Sequence, residues 1–303
     1  MTYSRIKSHS SYLPKKILYN QDVEKLVDTT DEWIQQRTGI KQRHIAGLDE
    51  SPLDLAFNAS KSIVEDVDAI IVASFSQDHK MPSLACELAN RLELYDIPAF
   101  DLNAACTGFL FSLITAHQFI ANQTFKKILV VGVDKNSSHI DWTDRSTCLL
   151  FGDGAGAMIL EASETPGMIL SEIGGNNRHV DLLKTDRLSF DQEYIQMSGK
   201  SVFKIAVQKG IALLKSVLNQ GHQVDWIIMH QANYRIIKSI ADAVDIPFDQ
   251  CIVTVDQHAN TSAASIPLAF DEGIRSGKIK RGDHLYFLAF GAGFTFAHTL
   301  IKY

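Results

Sequence analysis

Short, nearly continuous apolar runs recur along the chain, separated by polar turns and by longer periodic stretches. Ile70–Ser74, Ile128–Val133, Ala157–Leu160, Trp226–Met229 and Leu285–Ala289 have the length and continuity of strands buried on both faces. Between them, Leu84–Leu92, Gly108–Ala121, Val202–Leu218, Ala232–Ala243 and Ser262–Ser276 carry apolar positions at helical spacing. Strands alternating with helices of this length predict an α/β protein built on largely parallel sheets. The segment Gly174–Glu193 is polar, follows neither period, and is expected to connect or cap two halves.

Those halves follow from repetition. Val67-Asp68-Ala69-Ile70-Ile71 returns as Val224-Asp225-Trp226-Ile227-Ile228, an offset of 157 residues. Asp101-Leu102-Asn103-Ala104-Ala105-Cys106 has its counterpart in Asp256-Gln257-His258-Ala259-Asn260-Thr261, at 155. Phe151-Gly152-Asp153-Gly154 matches Phe290-Gly291-Ala292-Gly293 at 139, a drop that a longer loop in the first half explains. Three pairs in the same order predict two similar halves, residues 1–165 and 166–303.

Composition narrows the function classes. With 29 Lys+Arg against 35 Asp+Glu the net charge is −6, which disfavours a broad nucleic-acid-binding surface. A hydrophobic content of 46% over 303 residues supports a full core and disfavours disorder. The apolar runs are strand-sized, so no membrane span is expected, and Met1–Lys7 lacks the apolar stretch of a secretory signal. Cys86, Cys106, Cys148 and Cys251 are scattered, which argues against a disulfide framework or a Cys-rich zinc site and suits a reducing, cytoplasmic setting.

Three residues stand out as candidates for chemistry. Cys106 follows the strand-like Pro98–Leu102 and two alanines and precedes the helical run from Gly108, so its thiol is expected at a strand-to-helix turn. A helix start favours thiolate over thiol; the plainer alternative is a buried structural cysteine. His230 sits where the strand Trp226–Met229 gives way to a helix, the place where open α/β sheets gather ligand-binding groups, although a lone histidine there also serves as a cap or core residue. Asn260 opens a turn of small residues, Thr261-Ser262-Ala263-Ala264-Ser265, as a polar donor or a helix N-cap. Gly291-Ala292-Gly293 suits a loop that brings a backbone N–H close to a reacting carbonyl. Gly152–Ala157 fits G-x-G-x-x-A but leads into a strand rather than a helix, so dinucleotide binding is unsupported.

Taken in order, Ser11-Tyr12-Leu13-Pro14, Asp31-Glu32-Trp33-Ile34-Gln35-Gln36-Arg37-Thr38-Gly39-Ile40, Ala104-Ala105-Cys106-Thr107-Gly108-Phe109, Leu150–Gly156, His230-Gln231-Ala232-Asn233, Asn260–Ser265 and Gly291–Thr295 strongly resemble the β-ketoacyl-acyl-carrier-protein synthase III family over nearly the whole chain. The resemblance implies a duplicated thiolase-like fold layered α/β/α/β/α, the family's homodimer, and no permanently bound cofactor or metal. It implies acyl transfer from acyl-CoA to Cys106, then decarboxylating Claisen condensation with malonyl acyl carrier protein to start fatty-acid synthesis. His230 and Asn260 would donate hydrogen bonds to the enolate oxygen, and the N–H groups of Cys106 and Ala292 would form a second oxyanion hole. Trp33, Arg37 and Arg145 would hold the adenine end of CoA, Asn233 the pantetheine arm or a water, and Phe203 the tunnel. Lys204, Arg235 and Lys238 would form the carrier-protein patch.

Several positions depart from the family pattern. Met81 stands where many relatives carry a bulky Phe closing the acyl pocket across the dimer, which suggests a primer longer or differently shaped than acetyl. Lys200 replaces an Asn at the tunnel, Ala292 the middle Gly of a Gly-Gly-Gly loop, and Asp242-Ala243 stand where lysines are common. These leave a divergent condensing enzyme of secondary metabolism as the alternative, and a non-catalytic partner subunit as a disfavoured one because Cys106, His230 and Asn260 are all retained.

Overall fold

The apolar runs assemble into two sheets of like design. The computed structural model describes residues 2–186 and 194–303. Its strands are β1 (Tyr3–Tyr12), β2 (Lys16–Tyr19), β3 (Gln42–Ile45), β4 (Ala69–Ala73), β5 (Ala99–Leu102), β6 (Lys127–Asp134), β7 (Gly154–Ser163), β8 (Met168–Gly175), β9 (Leu183–Asp186), β10 (Tyr194–Met197), β11 (Trp226–Met229), β12 (His284–Gly291) and β13 (Thr295–Lys302). The helices are α1 (Asn20–Val23), α2 (Asp31–Thr38), α3 (Pro52–Ser60), α4 (Leu84–Arg91), α5 (Gly108–Ala121), α6 (Gly199–Asn219), α7 (Tyr234–Ala243), α8 (Val255–His258) and α9 (Ser265–Arg275).

The first sheet has the order β1-β7-β6-β4-β5 and the second β11-β12-β13-β8. In the first, β4 runs parallel to β6 while β7 and β1 are antiparallel to their neighbours. In the second, β11 runs parallel to β12 while β13 and β8 are antiparallel. Order and direction thus repeat, β4-β6-β7-β1 against β11-β12-β13-β8. The fifth strand, β5, shrinks in the second half to one parallel bridge between Ile227 and Cys251. Both sheets are mixed, which corrects the expectation of largely parallel ones. The cause is visible at β12, which turns into β13 through Ala292–Phe294, a connection too short to cross over and so confined to an antiparallel neighbour.

The layers follow from the helix surfaces. α5, GFLFSLITAHQFIA, is apolar on nearly every side because it lies with α9 between the two sheets, in one core with strands of both. α3 and α4 cover the outer face of the first sheet, and α6 and α7 that of the second. The chain from Gly174 to Glu193, expected to be irregular, supplies the end of β8, a short helical segment and β9, with residues 187–193 lying outside the described ones. Among the described residues no helix is long and apolar enough to cross a membrane.

The halves touch backbone to backbone. Gly132 of β6 lies under Ala263, and a Cβ there would stand 2.5 Å from the Ala263 carbonyl oxygen. Gly132→Ala is expected to destabilise the protein by about 3 kcal/mol, because neither backbone can give way, whereas Gly199→Ala should change stability by less than about 0.5 kcal/mol. Urea unfolding of the two variants beside the parent checks this; equal midpoints for both would refute the tight seam.

Candidate active site

Cys106 lies where β5 passes into α5. Ala105 holds a left-handed backbone (φ 47°), and the tight helical turn Ala105–Thr107 then leads into α5. An alanine there is strained, so surrounding contacts must hold the turn. They come from the second half. Gly291 packs so closely that an added Cβ would meet Cys106 Cβ at 3.1 Å and its backbone N at 3.2 Å. Thr107 Oγ1 and Thr295 Oγ1 lie 2.8 Å apart across the same seam.

His230 follows β11 and Asn260 follows α8; both are buried. Cys106, His230, Asn260 and Gly291 line one cavity of about 710 Å³, so the structure brings the three candidates together. The His230 Nδ1 stands 2.7 Å from Ser265 Oγ, which orients the ring and leaves Nε2 for the cavity. The Asn260 Oδ1 accepts from the Ser262 N–H at 2.9 Å, which turns its amide nitrogen toward the cavity. Asn260 is therefore no N-cap; α9 begins five residues later.

Burial dominates the electrostatics. It pushes the Cys106 thiol up to about 12, against a downward pull from Ser262. The helix start alone therefore does not make a resting thiolate, which corrects that expectation. Burial also holds the His230 imidazole down to about 3, so the ring is neutral and donates one N–H. Below Cys106, Asp134 at the end of β6 is wholly buried, its carboxylate accepting from Ser74 Oγ, Ser76 Oγ and the Phe75 N–H at 3.1, 3.0 and 3.0 Å. The Ala263 N–H donates to its other oxygen at 3.1 Å. Burial holds this carboxyl above the ordinary carboxylate range, although hydrogen bonding, including that from Phe75, Ala263 and Ser76, pulls it down.

Other expected residues sort by place. Trp33 lies beside Arg145, whose guanidinium is 4.2 Å from the ring centre, and Arg37, at 5.8 Å. Trp33, Arg37, Phe203, Asn233, Lys200 and Arg235 line the Cys106 cavity. Asn233 is engaged by the chain itself: it caps α7 through the Arg235 N–H and donates to the Arg37 carbonyl. Lys204 and Arg235 are exposed, but Lys238 pairs with Asp242 at 3.0 Å, which thins that basic patch. Met81 is 85% exposed and lines no cavity of its own chain among those near Cys106. Cys148 and Cys251 are buried and Cys86 is exposed; all four cysteines are free. Ser262, Ser265 and Asp134 were not singled out in the sequence. The small-residue turn after Asn260 was the available signal for the two serines.

The family profile described as 3-Oxoacyl-[acyl-carrier-protein (ACP)] synthase III matches residues 100–177, and its C-terminal counterpart residues 218–303. The chain is 45% identical over 322 aligned residues to the beta-ketoacyl-[acyl-carrier-protein] synthase III of Thioalkalivibrio sulfidiphilus, covering 100% of both. The crystal structure of 3-oxoacyl-[acyl-carrier-protein] synthase III from Aquifex aeolicus superposes with a TM-score of 0.95 at 40% identity, covering 99% of this chain and 100% of that one. The corresponding Pseudomonas aeruginosa structure gives 0.94 at 37%, covering 99% and 98%.

The neutral histidine has a consequence for stability. Burial lowers His230 to about 3 and His258 to about 4 from an ordinary 6.5, so the unfolded chain binds more protons than the folded one below that value. Stability is then fully present above about pH 6.5 and falls as the pH drops toward 4. Thermal unfolding from pH 7.5 to 4.5 should show this loss, with a shallower slope for His230→Gln; identical slopes would remove the account.

Proposed function

Because the chain belongs to the β-ketoacyl-acyl-carrier-protein synthase III family, we propose that Cys106, His230 and Asn260 carry its chemistry. Members of the family are condensing acyltransferases that start fatty-acid synthesis, and so is this chain. One observation supports the residue assignment above others: a thiol, an imidazole and an amide from separate loops of the two halves line a single cavity whose rim holds Trp33 and Arg37.

The steps follow from the geometry. Cys106 Sγ attacks an acyl-CoA thioester carbonyl while the N–H groups of Cys106 and Ala292 hold the oxyanion, and CoA leaves as its thiolate. Trp33, with Arg145 and Arg37, receives the adenine end, and Phe203 borders the arm. Lys200, exposed at the same cavity, offers a cation to the ligand's phosphates. Malonyl carrier protein enters next and loses carbon dioxide. His230 Nε2 and Asn260 Nδ2 donate to the developing enolate oxygen, and the enolate carbon attacks the Cys106 thioester. A neutral imidazole suits this donor role. Asn260 points its carbonyl oxygen at Ser262, not at His230, so the set differs from a thiol protease, where the Asn orients the His.

Further parts of the reading rest on surfaces. A second cavity of about 720 Å³ borders Cys106 on the side of Phe75, Leu102, Phe111 and Thr295, and we assign the acyl chain to it. It borders Leu102 at the end of β5, a half-exposed edge strand, and Met81 is exposed. A homodimer would cover that edge and bring each Met81 to the partner's acyl cavity. Lys204 and Arg235 are the remaining carrier-protein contacts, and a reduced cytoplasm suits the free thiols. The full-length likeness and the intact triad support this reading over a secondary-metabolic or non-catalytic one.

Intact mass after incubation with a panel of acyl-CoAs tests both steps. An adduct should map to Cys106 and vanish in Cys106→Ala, while His230→Ala and Asn260→Ala should still acylate yet lose condensation by more than about 100-fold. Acyl groups longer than acetyl are expected to load. Rapid loading by acetyl-CoA with none by longer homologues would overturn the reading of Met81.

A further inference from the structure

The neutral His230 imidazole carries one ring proton, and the nitrogen that holds it decides whether the ring can serve an enolate. With the proton on Nε2 the ring donates into the cavity. With the proton on Nδ1 it presents a lone pair there and repels the developing oxyanion. The two forms have the same shape and charge, so the choice rests on what meets Nδ1.

Ser265 Oγ meets it at 2.7 Å, in a buried contact. A hydroxyl can donate or accept there, and its other partner settles which. The Gln231 backbone N–H reaches the same oxygen at 3.4 Å and can only donate. Among the described residues Ser265 Oγ has no third partner. Were Nδ1–H to donate as well, the oxygen would accept twice and its own buried proton would have no acceptor, a state that buried donors rarely tolerate. The hydroxyl proton therefore goes to Nδ1, and the ring proton sits on Nε2.

The groups around this hydroxyl are themselves fixed. The Gln231 side chain is fully buried and fully used. Its Nε2 donates to the carbonyls of Met229 at 2.7 Å and Ile252 at 3.1 Å, and its Oε1 accepts from the N–H groups of Thr254 at 2.9 Å and Val255 at 3.2 Å. These four bonds tie the end of β11 to the chain entering α8 and hold the Gln231 backbone where its N–H reaches Ser265. The His230 N–H is held by the Leu288 carbonyl at 2.8 Å. The Phe290 ring packs edge to face on the imidazole, 5.6 Å between centres, and adds no hydrogen-bonding group.

We propose that Ser265, braced by Gln231, is a positioning residue that fixes His230 as its Nε2–H tautomer and so makes the ring a standing donor to the enolate oxygen. This rests on His230 being an enolate donor. As the malonyl carbon–carbon bond breaks, its electron pair moves into the enolate, carbon dioxide leaves, and negative charge gathers on the thioester oxygen. His230 donates a hydrogen bond to that oxygen and keeps its proton, since losing it would leave an anionic ring. The Ser265 proton also stays on its oxygen, so the donor is in place before substrate arrives. Acylation of Cys106 draws instead on the N–H groups of Cys106 and Ala292 and does not depend on Ser265.

Two measurements test this. In protein labelled with 15N-histidine, the ring resonances of His230, assigned by their loss in His230→Gln, report the tautomer at pH 7.5. The parent should show a protonated Nε2 and a bare Nδ1. In Ser265→Ala, condensation with malonyl carrier protein should fall at least about tenfold, while single-turnover loading of Cys106 by acyl-CoA stays within about twofold of the parent. A proton on Nδ1 in the parent overturns the assignment. So does a Ser265→Ala protein that condenses at the parental rate, or one in which loading and condensation fall together, as a merely structural serine requires. Should Ser265→Ala fail to fold, the tautomer of the intact parent decides by itself. A parent that neither loads nor condenses overturns the proposed function and the role of Ser265 with it.

Discussion

The seam between the two halves is a contact of backbone against backbone, and the site depends on it. Gly291 presses on the turn that carries Cys106, and Gly132 lies beneath the carbonyl of Ala263, in the turn that carries Asn260 and Ser262. Side chains at either glycine would separate the halves. With none, a loop of the second half comes within van der Waals reach of the nucleophile, and each half completes the other's catalytic surface. The strained Ala105 and Ser262 persist because this contact over-determines them.

Asp134 is the electrostatic counterpart of that seam. An ionised carboxylate without water costs several kcal/mol unless its lone pairs are filled, and here donors arrive from two segments: Ser74 to Ser76, and the Ala263 N–H. These donors fasten the end of β6 to the loop after β4 and, across the halves, to the turn before α9.

Burial gives the chemistry its character. Burial keeps the thiol and the imidazole neutral, so neither reactive group carries a charge before the thioester arrives. Negative charge arises only during reaction, first on the tetrahedral oxygen and then on the enolate. Donors already aimed at those places hold it far better than solvent would.

Much of this was legible in the chain. Continuous apolar runs give strands because only a doubly covered strand has no polar face, and the repeat at offset 157 returns as β4 against β11 and β6 against β12. Cys106 and Asn260 could be picked out because each stands in a small-residue turn, and His230 because it stands where a strand gives way to a helix. Antiparallel β7, β13, β1 and β8 could not be read, since direction depends on where a connection returns and not on side-chain periodicity. Nor could the parts of Ser262, Ser265 and Asp134. Their roles come from partners 156, 35 and 129 residues away, at Cys106, His230 and Ala263. The sequence by itself determined which residues carry reactive groups and which segments must be buried. Only the tertiary structure decided which groups face one another and in what protonation state, because desolvation and hydrogen bonding act through space and not along the chain.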